Sequence, residues 1–180
     1  MPNWCENSIE ISHDDPKMIK KFVEAFNKEE VGNTFRPQPE NLFKGNLGKS
    51  EMEMCEQQGI PNWYDWNYEN WGVKWDFGCD GQKEEWDGSN NLSVFFMTPW
   101  GPPIVLYEYM TSEHRFHIVS ECMEVGMGFL GKWESGDSEG KTRTIPTTRD
   151  ELSEIEFDYP MMYSSVECEI ESREDDEEED

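Results

Sequence analysis

The chain has 180 residues, with 40 acidic against 15 basic side chains and a formal net charge of −25. That suits one domain with a surface that repels phosphate backbones, which argues against direct nucleic-acid binding. Leu, Ile, Val and Phe amount to only 33 residues, so a folded core has to lean on the 8 Trp, 6 Tyr and 10 Met.

In chain order, Asn7 to Ser12 alternate and predict a strand. Asp15 as N-cap and Pro16 in the first turn open a helix, and Met18, Ile19, Phe22, Val23 and Phe26 form its apolar face. From residue 31 a Gly-, Pro- and Asn-rich excursion follows, with a short helix expected around Glu51 to Gln57. Pro61 begins another helix, with Trp63, Trp66 and Asn70 near one face and Tyr64 and Tyr68 on another. Trp71, Val73, Trp75 and Phe77 then alternate with polar residues. That predicts a half-buried strand, with Trp71, Trp75 and Phe77 in the core.

Its expected hairpin partner is Leu92 to Trp100, apolar enough to be a central strand. Pro102 and Pro103 open a helix that runs to His114. In the next strand Phe116, Ile118, Ser120 and Cys122 oppose His117, Val119 and Glu121, and residues 125–135 form its hairpin partner. Thr148 and Glu151 make a capping box for a short last helix. The segment 171–180 holds eight acids and one Arg and reads as a disordered acidic tail.

Strand, helix, strand, strand, helix, strand is the ferredoxin-like split βαβ pattern. The fold class is therefore α+β: an antiparallel sheet with helices on one face. The expected organisation is a single domain over 1–160, with a loop and helix insertion at about 31–70 and the tail at 171–180.

The letter pattern of a dinucleotide loop occurs at Gly126 to Gly131, but no helix follows it, and hairpin glycines explain it better. His114, His117 and Cys122 lack the spacing of a zinc site. The acidic loops lack the ligand pattern of a calcium loop, and no nucleophile elbow is present. The expectation is no enzyme, no metal and no cofactor. Five scattered cysteines, no run of transmembrane length, and an opening "MPNWCENSIE" without a leader's basic start point to a cytoplasmic protein with reduced thiols and no membrane partner.

Three stretches, "MPNWCEN", "IPNWYDWNYENWGVKWD" and "TPWGPPIVLYEYM" with the later "GMGFLGKWESG", resemble the phage and conjugative-plasmid proteins that contain a YubB-type ferredoxin-like domain. The resemblance runs from Pro2 to about Gly140; the acidic tail and the overall charge depart from it. It implies the fold and a mobile-element origin, and it carries no catalytic residues.

The expected function is that of a non-enzymatic phage accessory protein. It would bind and inhibit a host protein with a basic surface, a defence or nucleic-acid-processing factor, with carboxylates standing in for phosphates. Candidate contact residues are Glu174, Asp175, Asp176, Glu177, Glu178, Glu179 and Asp180, together with Trp63 and Trp66. The alternative is a module that sequesters a nucleotide or signalling molecule through Lys74, Arg115, Lys132 and Arg143.

Overall fold

The computed structural model describes residues 3–178, with side chains through residue 174. Strand β1 (Trp4–Ser12) leads into helix α1 (Pro16–Phe26), whose N-cap Asp15 accepts a hydrogen bond from the Lys17 N–H at 3.0 Å. The excursion that follows holds α2 (Val31–Phe35), α3 (Lys49–Gln58) and α4 (Trp63–Trp71). Then come β2 (Asn91–Pro99), α5 (Ile104–His114), β3 (His117–Glu124), β4 (Phe129–Glu134) and β5 (Lys141–Thr144). Helices α6 (Arg149–Ser153) and α7 (Tyr163–Glu178) complete the described chain. No helix among the described residues is long and apolar enough to cross a membrane.

The sheet order is β2-β1-β3-β4-β5, antiparallel throughout. β1 sits between β2 and β3, which are therefore parallel to each other and joined through α5. That is a split βαβ unit in an α+β fold.

The strand expected at 71–77 is absent. Trp71 ends α4, and Gly72 caps that helix in the left-handed conformation, with φ at 82°. Beyond it, side chains satisfy the backbone groups that a ladder would have used. The Asn67 side-chain N–H donates to the Lys74 carbonyl at 2.7 Å, and Asp76 accepts from Phe77 N–H at 2.9 Å. β2, expected to be central, therefore lies at the edge of the sheet. Its Phe95 is exposed, and Pro99, which has no N–H to give a ladder, closes it.

Register assigns the faces. Cys5, Asn7, Ile9 and Ile11 point to one side, together with Phe96, Val94, Ile118 and Trp133. There Ile19, Phe22 and Phe26 of α1 and Leu106, Tyr107 and Met110 of α5 close the main core. Helices also cover part of the other side, against the expectation of helices on one face only. A second core joins Met123 and Leu130 of the sheet to Ile145, Leu152 and Ile155, and to Met162, Val166 and Ile170 along α7. These last three recur every four residues, a narrow apolar stripe on an otherwise acidic helix. As a result 171–178 of the expected disordered tail continue α7, while Glu179 and Asp180 lie outside the described residues.

Glu121 joins the two layers. It lies on the second face of β3 and is fully buried. It accepts the N–H groups of Met161 at 2.8 Å and Met162 at 3.2 Å, and pairs with Lys132 Nζ at 3.2 Å. The chain turning into α7 is thereby fixed to the sheet.

Replacing Glu121 with Ala leaves the Met161 and Met162 amides without their acceptor and Lys132 with only the Asp158 carbonyl, and should cost about 3 kcal/mol in urea unfolding. Burial raises the Glu121 pKa above its ordinary 4.5, against the opposing pull of Lys132 and the two amides. The folded state therefore holds this proton to higher pH than the unfolded chain does. Stability contributed by the group is full below about pH 4.5 and falls as pH rises through the higher folded value. Glu121→Gln should flatten that part of the stability-versus-pH curve, read from urea midpoints of both proteins across the acid range.

Candidate functional site

A cleft of about 420 Å³ opens where the start of β1, the end of β2 and the segment 75–80 meet. It occupies the side of β2 where the missing hairpin strand would have paired. Trp4 opens β1 out of phase with the inward Cys5, Asn7 and Ile9, so it faces outward and is 49% exposed. Trp75, expected in the core, is 40% exposed and stands against Trp4, with ring centroids 6.4 Å apart and planes tilted by 34°. Met97 and Pro99 of β2 form the third wall. Phe77 does enter the core, stacking on Phe96 at 4.5 Å.

Asp76 sets the position of this wall. One carboxylate oxygen accepts the Gly32 N–H at 2.6 Å and the other the Asn33 N–H at 2.8 Å, at the start of α2. Burial raises its pKa, while the backbone donors pull it down. Gly78 comes next, and a Cβ there would overlap the Phe26 carbonyl oxygen and the Glu29 Cα, so only glycine lets the segment press on the end of α1. Asn27 clamps the following loop, donating to the Glu84 carbonyl and accepting from the Glu84 N–H, both at 2.8 Å.

Glu29, Asp76 and Asp80 supply three carboxylates to the lining, and no basic residue joins them. Glu29 and Asp80 hold left-handed backbone, with φ of 58° and 44°, and so does Trp100 at 73°, just after Pro99. That conformation is uncommon outside glycine, and two of the three cases line the cleft while Trp100 follows its wall residue Pro99. Trp100 is exposed, and Phe95 is exposed on the same sheet face as Met97.

The residues singled out from the sequence lie elsewhere. Trp63 is half-buried, and its indole N–H donates to the Gly45 carbonyl at 3.0 Å. Trp66 packs edge-on to the buried Trp71 at 5.5 Å and borders an open cavity of about 920 Å³ between α3 and α4. Glu174 accepts a hydrogen bond from Arg149 at 2.9 Å. Asp175, Asp176, Glu177 and Glu178 continue α7, on the sheet face opposite α1 and α5, and Glu179 and Asp180 lie outside the described residues. The acidic segment and the two tryptophans are thus not brought together.

Three of the four cations of the small-ligand reading are engaged: Lys74 Nζ lies over the Trp75 ring at 4.4 Å, Lys132 holds Glu121, and Arg143 pairs with Glu154 at 3.4 Å, while Arg115 is exposed and caps α5 through its backbone N–H. His117 is exposed on one sheet face and Cys122 buried on the other, while His114 reaches the Phe35 carbonyl at 2.9 Å. Among the described residues no group of three His, Cys, Asp or Glu side chains is placed to hold a metal ion.

If the cleft tryptophans are surface residues and not core, stability should divide them. Trp71→Ala should cost about 3–5 kcal/mol, whereas Trp4→Ala and Trp75→Ala should each cost below about 1 kcal/mol. Chemical denaturation of the three variants measures this.

No family model and no curated protein matches the sequence. Among solved structures the fold is similar to that of api92 from Yersinia pseudotuberculosis, a protein of the DUF1281 family, at 10% identity and a TM-score of 0.43. The match covers 82% of this chain and all of that one.

Proposed function

We propose that this protein is a non-catalytic binding protein whose partner is a protein with a basic surface. One observation carries the reading. Trp4 and Trp75 are exposed side by side in the cleft at the β2 edge, beside the carboxylates of Glu29, Asp76 and Asp80, and Phe95 and Trp100 are exposed on β2 and just after it. Interfaces are enriched in aromatic anchors, and exposed apolar clusters rimmed by polar groups mark interaction sites. A partner approaching a chain of net charge −25 is selected for opposite charge and steered by it.

The resemblance to phage and plasmid proteins supports a host protein as the partner, and inhibition as the outcome. In the narrower version the partner is a nucleic-acid-processing or defence factor, and acids of α7 stand in for phosphates. Glu167, Glu169, Glu171 and Glu174 are the described acidic side chains there, with Arg173 already pairing with Glu169 and Arg149 with Glu171 and Glu174. A nucleotide-sequestering module finds less support, because the cleft lining holds no cation for a phosphate.

Affinity capture from bacterial lysate, washed at low and at high salt, tests the proposal. The expected result is a basic protein retained at low salt and released as salt rises. Retention indifferent to salt, or stabilisation of the protein by nucleotides in a thermal-shift screen, would count against it. Changing Glu167, Glu171 and Glu174 to Gln separates the versions: capture is lost if α7 mimics phosphates and persists if the β1–β2 edge is the anchor.

A further inference from the structure

We infer that the Trp4–Trp75 cleft is a socket for a guanidinium group, the arginine side chain of a partner protein. This rests on the reading of the chain as a binder of a basic surface, and names the chemical group that surface inserts.

The cleft offers the two things that such a group needs. Its walls are apolar and aromatic: Trp4 and Trp75 stand half-exposed, with Met97 and Pro99 beside them to take the methylene stem. Indole is the best aromatic face for a cation, and arginine uses it most often. Trp75 already behaves this way, with Lys74 Nζ 4.4 Å from its ring centre. Lys74 is not part of the cleft lining, so the cleft itself contains no cation of the chain's own.

The charged part of the lining is acidic only. Asp76 is fixed in position, its oxygens held by the N–H groups of Gly32, Asn33 and Phe77. Glu29 and Asp80 are exposed and can turn their carboxylates toward an incoming fork of N–H donors. An apolar guest would leave three carboxylates partly desolvated without compensation, and an anionic guest would meet only like charge. A volume of about 420 Å³ lies within the range of small-ligand sites.

Guanidinium fits better than ammonium for a stated reason. It is planar and weakly hydrated, so it can stack on a ring while its edge forks a carboxylate. An ammonium is a compact, strongly hydrated charge that keeps its water.

The test is a titration of the protein, labelled with ¹⁵N at the indole nitrogens, with three capped tripeptides: Gly-Arg-Gly, Gly-Lys-Gly and the neutral isostere Gly-citrulline-Gly. The Arg peptide should shift the Trp4 and Trp75 indole signals saturably. The Lys peptide should bind about fivefold more weakly, and the citrulline peptide should leave both signals in place. Trp75→Ala should weaken the Arg peptide about fivefold, and the double variant Glu29→Gln, Asp80→Asn about tenfold, with circular dichroism unchanged. Equal response to citrulline, equal affinity for lysine, or shifts confined to other tryptophans would overturn the socket. Failure of the socket and failure of the broader reading are distinguishable. Salt-sensitive capture of a basic protein that survives Trp4→Ala with Trp75→Ala overturns the socket and spares the broader reading. Selective binding of the Arg peptide, with no basic protein captured, does the reverse.

Discussion

One carboxylate decides where the chain after α4 can go. Asp76 binds the first free amides of α2 and the amide of Phe77, and so ties the segment 72–78 to the excursion and away from the sheet. Without that tie, alternating Trp71, Val73, Trp75 and Phe77 could pair with β2 and cover its edge. With it, Phe77 alone reaches across to stack on Phe96, Trp75 turns outward, and the space between becomes the cleft. The site exists because a side chain took the backbone donors at the start of α2 and a ladder did not form.

The same residues explain what could be read in advance. α1 was fully legible: Asp15, Pro16 and the spacing of Ile19, Phe22, Val23 and Phe26 are local signals, and the structure keeps each one. The alternation of β3 was equally clear on its inward side, through Phe116, Ile118, Ser120 and Cys122. The burial of Glu121 on the opposite side was not legible, because it depends on a helix arriving from forty residues later. α7 left a weak trace in Met162, Val166 and Ile170, and a run of acids overwhelmed it. The segment 71–77 had a true strand pattern, and a tertiary contact overrode it. For the cleft, one signal was available. Trp4 is out of phase with Cys5, Asn7, Ile9 and Ile11, and that places it on the face away from the main core.

Charge and aromatic content, read separately, look like a soluble surface and a substitute core. The structure divides the tryptophans between those roles. Trp71 and Trp133 are sealed in the core, Trp66 packs against it, and Trp4, Trp75 and Trp100 remain at the surface. The strongest acidic run, by contrast, is built through Glu178 into a helix whose buried stripe faces the sheet, and two of its members, Glu171 and Glu174, already pair with Arg149. On the proposed reading, affinity for a basic partner would have two separable sources: a diffuse field that speeds encounter, and a local grip that sets residence time.

The central place of β1 has a consequence for how the protein is made. Its partners are Asn91–Pro99 and His117–Glu124, so the first described strand has no neighbour until Asn91 is reached, and no second neighbour until His117, more than a hundred residues after Ser12. Closing such long loops is slow, and high contact order lowers folding rates. The later layer, by contrast, draws on residues 123–170 and can assemble from nearer contacts. On the ribosome β1 and its inward isoleucines, Ile9 and Ile11, wait exposed while their sheet is still being translated. A net charge of −25 over the chain opposes association of such a segment with copies of itself.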